Sequence, residues 1–282
     1  MYSDELILFY YPNTIGSRKM LLVLYSRSVA FMARVMDVKH GEQMEPWFLE
    51  MSPRGELPVL RHGDNVLLDV DKMMTYVDNL SPGQENCMKL FPDKNTELGS
   101  NVMRIFKELS KINIPLIVYG TLFHPEICTS SATSDEENKR KAAMVKQGKS
   151  QIVELMERNP DYANSYVEKQ KAYESFLALA QSDGAVAKEL DEVEKVLDLA
   201  EELLTTKKSP GTTTPEVTQI WLFSIYITAA DVYLMVLLHA VYKACLWERY
   251  FEKSRRRKQL AKYFKKMKHD PLVTKALPGL IK

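Results

Sequence analysis

Cysteine is scarce in this chain: Cys87, Cys128 and Cys245 are scattered through 282 residues. An odd and widely spaced set offers neither a disulfide framework nor a thiolate metal site, and it fits a reducing compartment. The histidines, His40, His62, His124, His239 and His269, show no ligand-like pairing, so no metal site is expected. Net charge is nearly absent, +1 from 38 basic and 37 acidic residues. No global field draws the chain to nucleic acid, and no nucleic-acid partner is expected. A secretory leader is not expected either, because Asp4 and Glu5 stand where a basic n-region belongs and the apolar run Leu6 to Tyr11 is too short. The stretch from Ile220 to Tyr242 has the length of a membrane span, but Asp231 sits at its centre. A carboxylate there costs about 2.5–3.5 kcal/mol on insertion scales. A buried core helix is expected instead, with no transmembrane segment and a cytoplasmic location. What remains is an ordinary globular mixture, 45% hydrophobic and 27% charged, enough for two modest domains.

The first part alternates short apolar runs with helical patterns. Leu6 to Tyr10 reads as a buried strand ended by Pro12-Asn13. Ser17 can cap a helix carrying Met20, Leu21, Leu24 and Tyr25. A second strand fits Phe31 to Val38, and a short helix starts at Glu45-Pro46. Leu57 to Leu60 and Asn65 to Leu68 read as strands joined by His62-Gly63-Asp64, followed by a helix from Asp69 to Asn79. The order β-α-β-α-β-β-α, with Pro58 opening the third strand, is the thioredoxin-like pattern. After Ser81-Pro82-Gly83 strand signals nearly vanish. Helices are expected at Thr96–Ile112, Lys139–Arg158, Tyr162–Gln181, Ala185–Leu204, Ala229–Leu246 and Ser254–Lys268. The expected division is α+β: a thioredoxin-like domain at 1–81, a linker at 82–95, and an all-helical domain at 96–282 with an insertion at about 126–215.

Proline at the start of a buried strand removes a ladder donor. A cis Leu57–Pro58 bond would turn Leu57 toward the first helix and leave its N–H and C=O free, an edge suited to the backbone of a bound peptide or thiol. The segment Ser52-Pro53-Arg54-Gly55-Glu56-Leu57-Pro58-Val59-Leu60 resembles the N-P-x-G-x-V-P-V-L stretch of glutathione transferases. Thr228-Ala229-Ala230-Asp231 resembles their second signature, a structural capping box in which Thr228 and Asp231 satisfy each other's backbone donors. Glu45-Pro46-Trp47-Phe48, His124-Pro125-Glu126, Asn159-Pro160-Asp161 and Tyr166-Val167-Glu168-Lys169-Gln170-Lys171 narrow the likeness. They are similar to the ganglioside-induced differentiation-associated protein 1 family, transferase-like proteins with an extended helical insertion. That resemblance implies a role in mitochondrial outer-membrane dynamics or redox homeostasis. Family members typically end in a hydrophobic tail anchor, whereas this sequence stops at Ile281-Lys282, so anchoring by that route is not expected.

The resemblance also implies a glutathione site. A thiol-activating hydroxyl belongs near the start of the first helix, where the dipole lowers a thiol pKa. Thr14 is the best-placed candidate, with Tyr10, Tyr11 and Ser17 as alternatives, against the plainer reading of a loop stabiliser and an N-cap. Leu57 and Pro58 would pair with the glutathione backbone, Gln43 falls where some transferases hold a carboxylate, and Asp69 could take the ammonium group. Transferases follow that acid with serine, but here Val70 stands in its place and cannot donate to the γ-glutamyl carboxylate. Weak or absent conjugation is therefore expected, the alternative being an active transferase acting on small electrophiles. The ligand would be glutathione or a small hydrophobic molecule, with no tightly bound cofactor and a homodimer left open.

From Lys253 to Lys268 there are nine basic residues and no acid, above an apolar stripe of Leu260, Phe264 and Met267. Arg255, Arg256, Arg257 and Lys258 are candidates for contact with anionic lipid or a partner, at ~1 kcal/mol per well-placed charge. The plainer reading is a solvated face.

Overall fold

The computed structural model describes residues 5–81, 88–127, 152–206, 220–252 and 256–280. A four-stranded mixed sheet has the order β2-β1-β3-β4, from β1 (Leu6–Tyr10), β2 (Met32–Val35), β3 (Val59–His62) and β4 (Asn65–Leu67). β1 runs parallel to β2 and antiparallel to β3, and β3 turns antiparallel into β4. The pleat sorts β1 between two cores. Leu6 and Leu8 join the main core with helices α1 (Ile15–Ser26) and α3 (Val70–Leu80). Ile7 and Phe9 pack on the opposite face with Met36, Phe48 of α2 (Pro46–Leu49) and Val59.

The second strand is shorter than the expected Phe31–Val38, and all four of its residues are exposed. It is an edge strand, paired on one side only, so its apolar residues do not report burial. The third strand begins at Val59 rather than Leu57, since residues 57 and 58 hold a cis peptide bond outside the ladder. The first helix is capped by Thr14, whose Oγ1 accepts from the Ser17 amide, and Ser17 lies inside the helix. That corrects the sequence reading, which put the cap on Ser17.

Beyond residue 88 the described chain is mostly helical: α4 (Glu97–Lys111), α5 (Ile114–Phe123), α6 (152–158), α7 (Ala163–Ala180), α8 (Asp183–Thr206), α9 (Ala229–Lys243), α10 (Lys258–His269) and α11 (Pro271–Ala276). The sequence reading missed α5. It is apolar on nearly every side and carries Pro115 in its first turn, so it has no amphipathic period to find. The expected helix at 139–158 lies outside the described residues except for its last turns. No helix among the described residues is long and apolar enough to cross a membrane.

The central helix is α9, buried from Ala229 to Val241. Asp231 anchors its start: it accepts from the Thr228 amide at 2.9 Å and hydroxyl at 2.7 Å, the Leu222 amide at 2.8 Å and the Tyr263 hydroxyl at 2.9 Å. Burial pushes its pKa up, and these four donors oppose that shift. The α/β and helical regions meet through a buried ion pair. Arg27 donates to Asp78 at 2.6 Å and to the carbonyls of Met88 and Ile227, while Asp78 accepts from the Leu90 amide.

His239, also on α9, is buried, and its Nδ1 has no partner among the described residues. Burial first, then the charge of Arg18, pulls its pKa down to about 4. The unfolded chain takes up this proton near pH 6.5 and the folded protein does so only near 4. Stability is therefore complete above the unfolded pKa and is lost as pH falls toward 4. Denaturant unfolding at pH 5 is expected to show a loss of about 2 kcal/mol relative to pH 7 from this group alone. His239→Leu should flatten that slope; an unchanged slope would remove His239 as its cause.

Candidate functional site

Three segments that the sequence left far apart meet at Gly16. A Cβ placed there would lie 2.7 Å from Pro58 Cδ, 3.1 Å from Val70 Cγ2 and 3.6 Å from the Leu57 carbonyl oxygen. The start of α1, the turn before β3 and the start of α3 thus converge because residue 16 has no side chain. At this junction the backbone is short of partners. Neither the N–H nor the C=O of Leu57 is hydrogen bonded among the described residues, nor are the amides of Ile15 and Gly16 at the helix start. Those two amides and the helix dipole favour a negative atom beside them.

The candidate hydroxyls separate by burial. Ser17 is fully buried, and its Oγ accepts from the Tyr11 amide at 3.2 Å and from Thr14 Oγ1 at 2.6 Å. It is enclosed structure rather than an accessible hydroxyl. Thr14 is part-exposed at the cap, with its proton shared between Ser17 Oγ and the Tyr11 carbonyl at 3.2 Å. Tyr10 is the half-buried last residue of β1. Tyr11 faces the helical region, where burial and then the Tyr11 phenol push the pKa of Tyr119 up.

Gln43 lies on the other side of the same turn. Its carbonyl oxygen would sit 2.7 Å from a Cβ at Gly55, which occupies the left-handed region at φ +57°. Gln43 Oε1 is buried with no hydrogen-bond partner among the described residues. Asp69 is the exposed N-cap of α3 and accepts from the Lys72 amide at 2.8 Å. The Val70 side chain packs inward against Gly16 and offers no hydrogen-bond donor.

Sequence reasoning missed the polar group behind α3. Tyr233 of α9 donates to Asp71, and the Lys19 ammonium rests 3.2 Å from the Tyr233 ring centroid. Burial lowers the Lys19 pKa to about 8, and the charge of Asp71 opposes this. No local pattern links residues on α1, α3 and α9, so only their packing reveals the cluster.

Arg257 corrects the sequence reading of a lipid-contacting surface. It is buried, donating to Asp198 at 2.8 Å, the Tyr250 carbonyl at 2.7 Å and the Glu194 side chain at 3.3 Å. Glu194 and Asp198 stand one turn apart on α8, and that paired acidic face draws the guanidinium inward. Arg256 is exposed beside Glu194, Lys258 is exposed at the start of α10, and Arg255 lies outside the described residues. The expected apolar stripe, Leu260, Phe264 and Met267, is buried. Among the described residues one cluster has metal-ligand chemistry. His124 lies 2.7 Å from Asp183 and 3.5 Å from Glu126, and histidine spacing in the sequence gave no sign of it. The shorter separation is that of a hydrogen bond, and both carboxylates are mostly exposed.

A mixed sheet of this order with a trailing helical region, joined at a turn with an open backbone edge, is the architecture of glutathione transferases. Residues 8–85 match the family model described as glutathione S-transferase, N-terminal domain. The structure resembles that of the β-etherase LigF from Sphingobium sp. strain SYK-6, with TM-score 0.62, 16% identity, and coverage of 96% of this chain and 98% of that one. It also resembles a glutathione transferase from Phanerochaete chrysosporium solved with oxidized glutathione, with TM-score 0.59, 14% identity, and coverage of 97% and 95%. In sequence it is 25% identical over 250 residues to human ganglioside-induced differentiation-associated protein 1-like 1, spanning 88% of this chain and 67% of that protein. The chain carries a region matching the transferase N-terminal domain at residues 8–85, has the transferase fold, and is similar to the ganglioside-induced differentiation-associated proteins over most of its length.

The convergence at Gly16 makes a direct prediction. Gly16→Val forces its side chain against Pro58 and Val70 and should destabilise the protein by about 1–3 kcal/mol, the usual cost of overpacking. Urea denaturation checks this, and a variant as stable as the parent would show that the approach at Gly16 is not tight.

Proposed function

We propose that this protein binds glutathione weakly and conjugates it poorly or not at all. In this reading it acts as a transferase-like regulator of mitochondrial dynamics or redox homeostasis. One observation carries the proposal: the open edge at Leu57 and the unpaired Gln43 Oε1 suit a peptide ligand, while Val70 stands where a donor to its terminal carboxylate is needed. In the proposed mode the Leu57 N–H and C=O pair with the cysteinyl backbone. Thr14 and the amides of Ile15 and Gly16 face the sulfur, Gln43 accepts from a ligand N–H, and Asp69 holds the ammonium. A thiolate near a helix start is stabilised by the dipole and by donated hydrogen bonds. The charged end of the tripeptide lacks one charge-assisted bond, typically worth ~1.5–3 kcal/mol.

The mitochondrial part of the proposal rests on the likeness to the ganglioside-induced differentiation-associated proteins. Arg256, Lys258, Lys262 and Lys265 leave an exposed basic face on which peripheral contact with anionic lipid can be proposed without Arg257. An active transferase is the second reading, favoured by Thr14 at the cap of α1.

Isothermal titration with glutathione, followed by a conjugation assay on an electrophilic aromatic, tests both. The expected result is binding in the millimolar range with turnover near background. Tight binding with turnover that falls in Thr14→Ala would establish the second reading, and no binding at all would defeat both.

A further inference from the structure

Helices α5 and α8 approach closely where Gly120 has no side chain, since a Cβ there would lie 2.6 Å from Val186 Cγ2. His124, the residue that caps the end of α5, stands one turn beyond Gly120. Asp183, the first residue of α8, stands one turn before Val186. The crossing therefore brings the end of one helix to the start of the other. Glu126 joins them from the short turn Pro125–Ile127. His124 Nδ1 and one carboxylate oxygen each from Glu126 and Asp183 all lie within 4.8 Å of one another.

The three side chains differ in freedom. That of His124 is 10% exposed, whereas those of Glu126 and Asp183 are 69% and 87% exposed. His124 Nε2 is enclosed without a partner, so the ring meets the carboxylates through Nδ1 alone. A histidine that serves the core commonly places one ring nitrogen on a backbone carbonyl, as His239 Nε2 does on Pro278. His124 makes no such bond among the described residues; its ring reaches only Asp183 at 2.7 Å and Glu126 at 3.5 Å. Neither carboxylate has a lysine or arginine within ion-pair distance among the described residues. Two negative charges thus converge on one fixed imidazole nitrogen, and a cation among them offsets both.

We propose that His124, Glu126 and Asp183 hold a divalent transition ion of the zinc type, which ties the end of α5 to the start of α8. The donor set selects the ion. Imidazole suits zinc and its neighbours, whereas calcium and magnesium take oxygen ligands. Bonds of about 2.0–2.2 Å in a tetrahedral shell set neighbouring donors about 3.3 Å apart. The separation of His124 from Glu126 already suits that shell, and the exposed Asp183 has to withdraw by only about half an ångström. Three protein donors leave the fourth position to water. Histidine spacing in the sequence could not reveal this set, because one of its donors comes from a distant helix. The site shares no residue with the proposed glutathione cradle and stands whether or not that cradle is occupied.

The test uses the full chain, stripped of metal with EDTA, dialysed and titrated calorimetrically with zinc chloride. One equivalent of zinc should bind, and magnesium or calcium at the same concentration should not displace it. Glu126→Gln and Asp183→Asn preserve the size of exposed side chains, and each should raise the Kd for zinc about tenfold or more through the loss of one ligand. His124→Ala should abolish binding; if loss of that buried ring prevents folding, the two exposed variants decide the matter. Zinc should also raise the Tm of the parent and leave that of the double variant E126Q/D183N unmoved. No zinc bound by the parent, full zinc binding in the folded double variant, or displacement by magnesium would each overturn the inference.

Discussion

The structure depends on one buried ion pair at the junction of its two regions. Arg27, just past the end of α1, donates to Asp78 near the end of α3, and both are almost wholly buried. The pair does not stand alone: the guanidinium also holds the carbonyls of Met88 and Ile227, and the carboxylate holds the Leu90 amide. Ser81 Oγ closes the same knot by donating to the Arg27 carbonyl, and the Leu90 carbonyl accepts from Ala229, the first residue of α9. Two charges taken out of water are a poor source of net stability, but removing either one strands the other at a cost of about 3–5 kcal/mol. Their effect is to fix orientation. They set α1 and α3 against the segment leading into α9.

The central helix carries the same logic one layer deeper. Asp231 gathers four donors from three segments, and the sequence exposed only the part that is local. The Thr228–Asp231 capping box is written in a tetrapeptide, whereas the Tyr263 hydroxyl comes from another helix. The same divide runs through the fold. The succession of strands and helices in the first domain, the turn at Pro58 and the capped helices α3 and α4 were legible because each is signalled within a few residues. Helix α5 was not, because it is apolar all round. Arg257 was read as surface because the run around it is basic, and its acidic partners lie on α8, about 60 residues away.

The candidate site divides in the same way. Leu57, Pro58, Gln43, Thr14 and Asp69 could be named from motif positions. The reason the starts of α1 and α3 meet the turn at Pro58 could not: it lies in Gly16, whose missing side chain admits Pro58 and Val70 together. The bridge from Lys169 of α7 to the carbonyls of Arg54 and Gly55 was also invisible, because its partner is a turn more than 100 residues earlier in the chain. Chemistry that depends on long-range packing leaves no trace in local spacing.

In the proposed reading this chain keeps an open peptide edge at Leu57 but lacks one donor for the charged end of glutathione. Replacing Val70 by serine restores that donor at the start of α3, and isothermal titration of Val70→Ser with glutathione is the most direct measurement. A gain of about tenfold in affinity, the worth of one charge-assisted hydrogen bond, is the predicted result. Unchanged or weaker binding in a folded Val70→Ser protein would contradict the account.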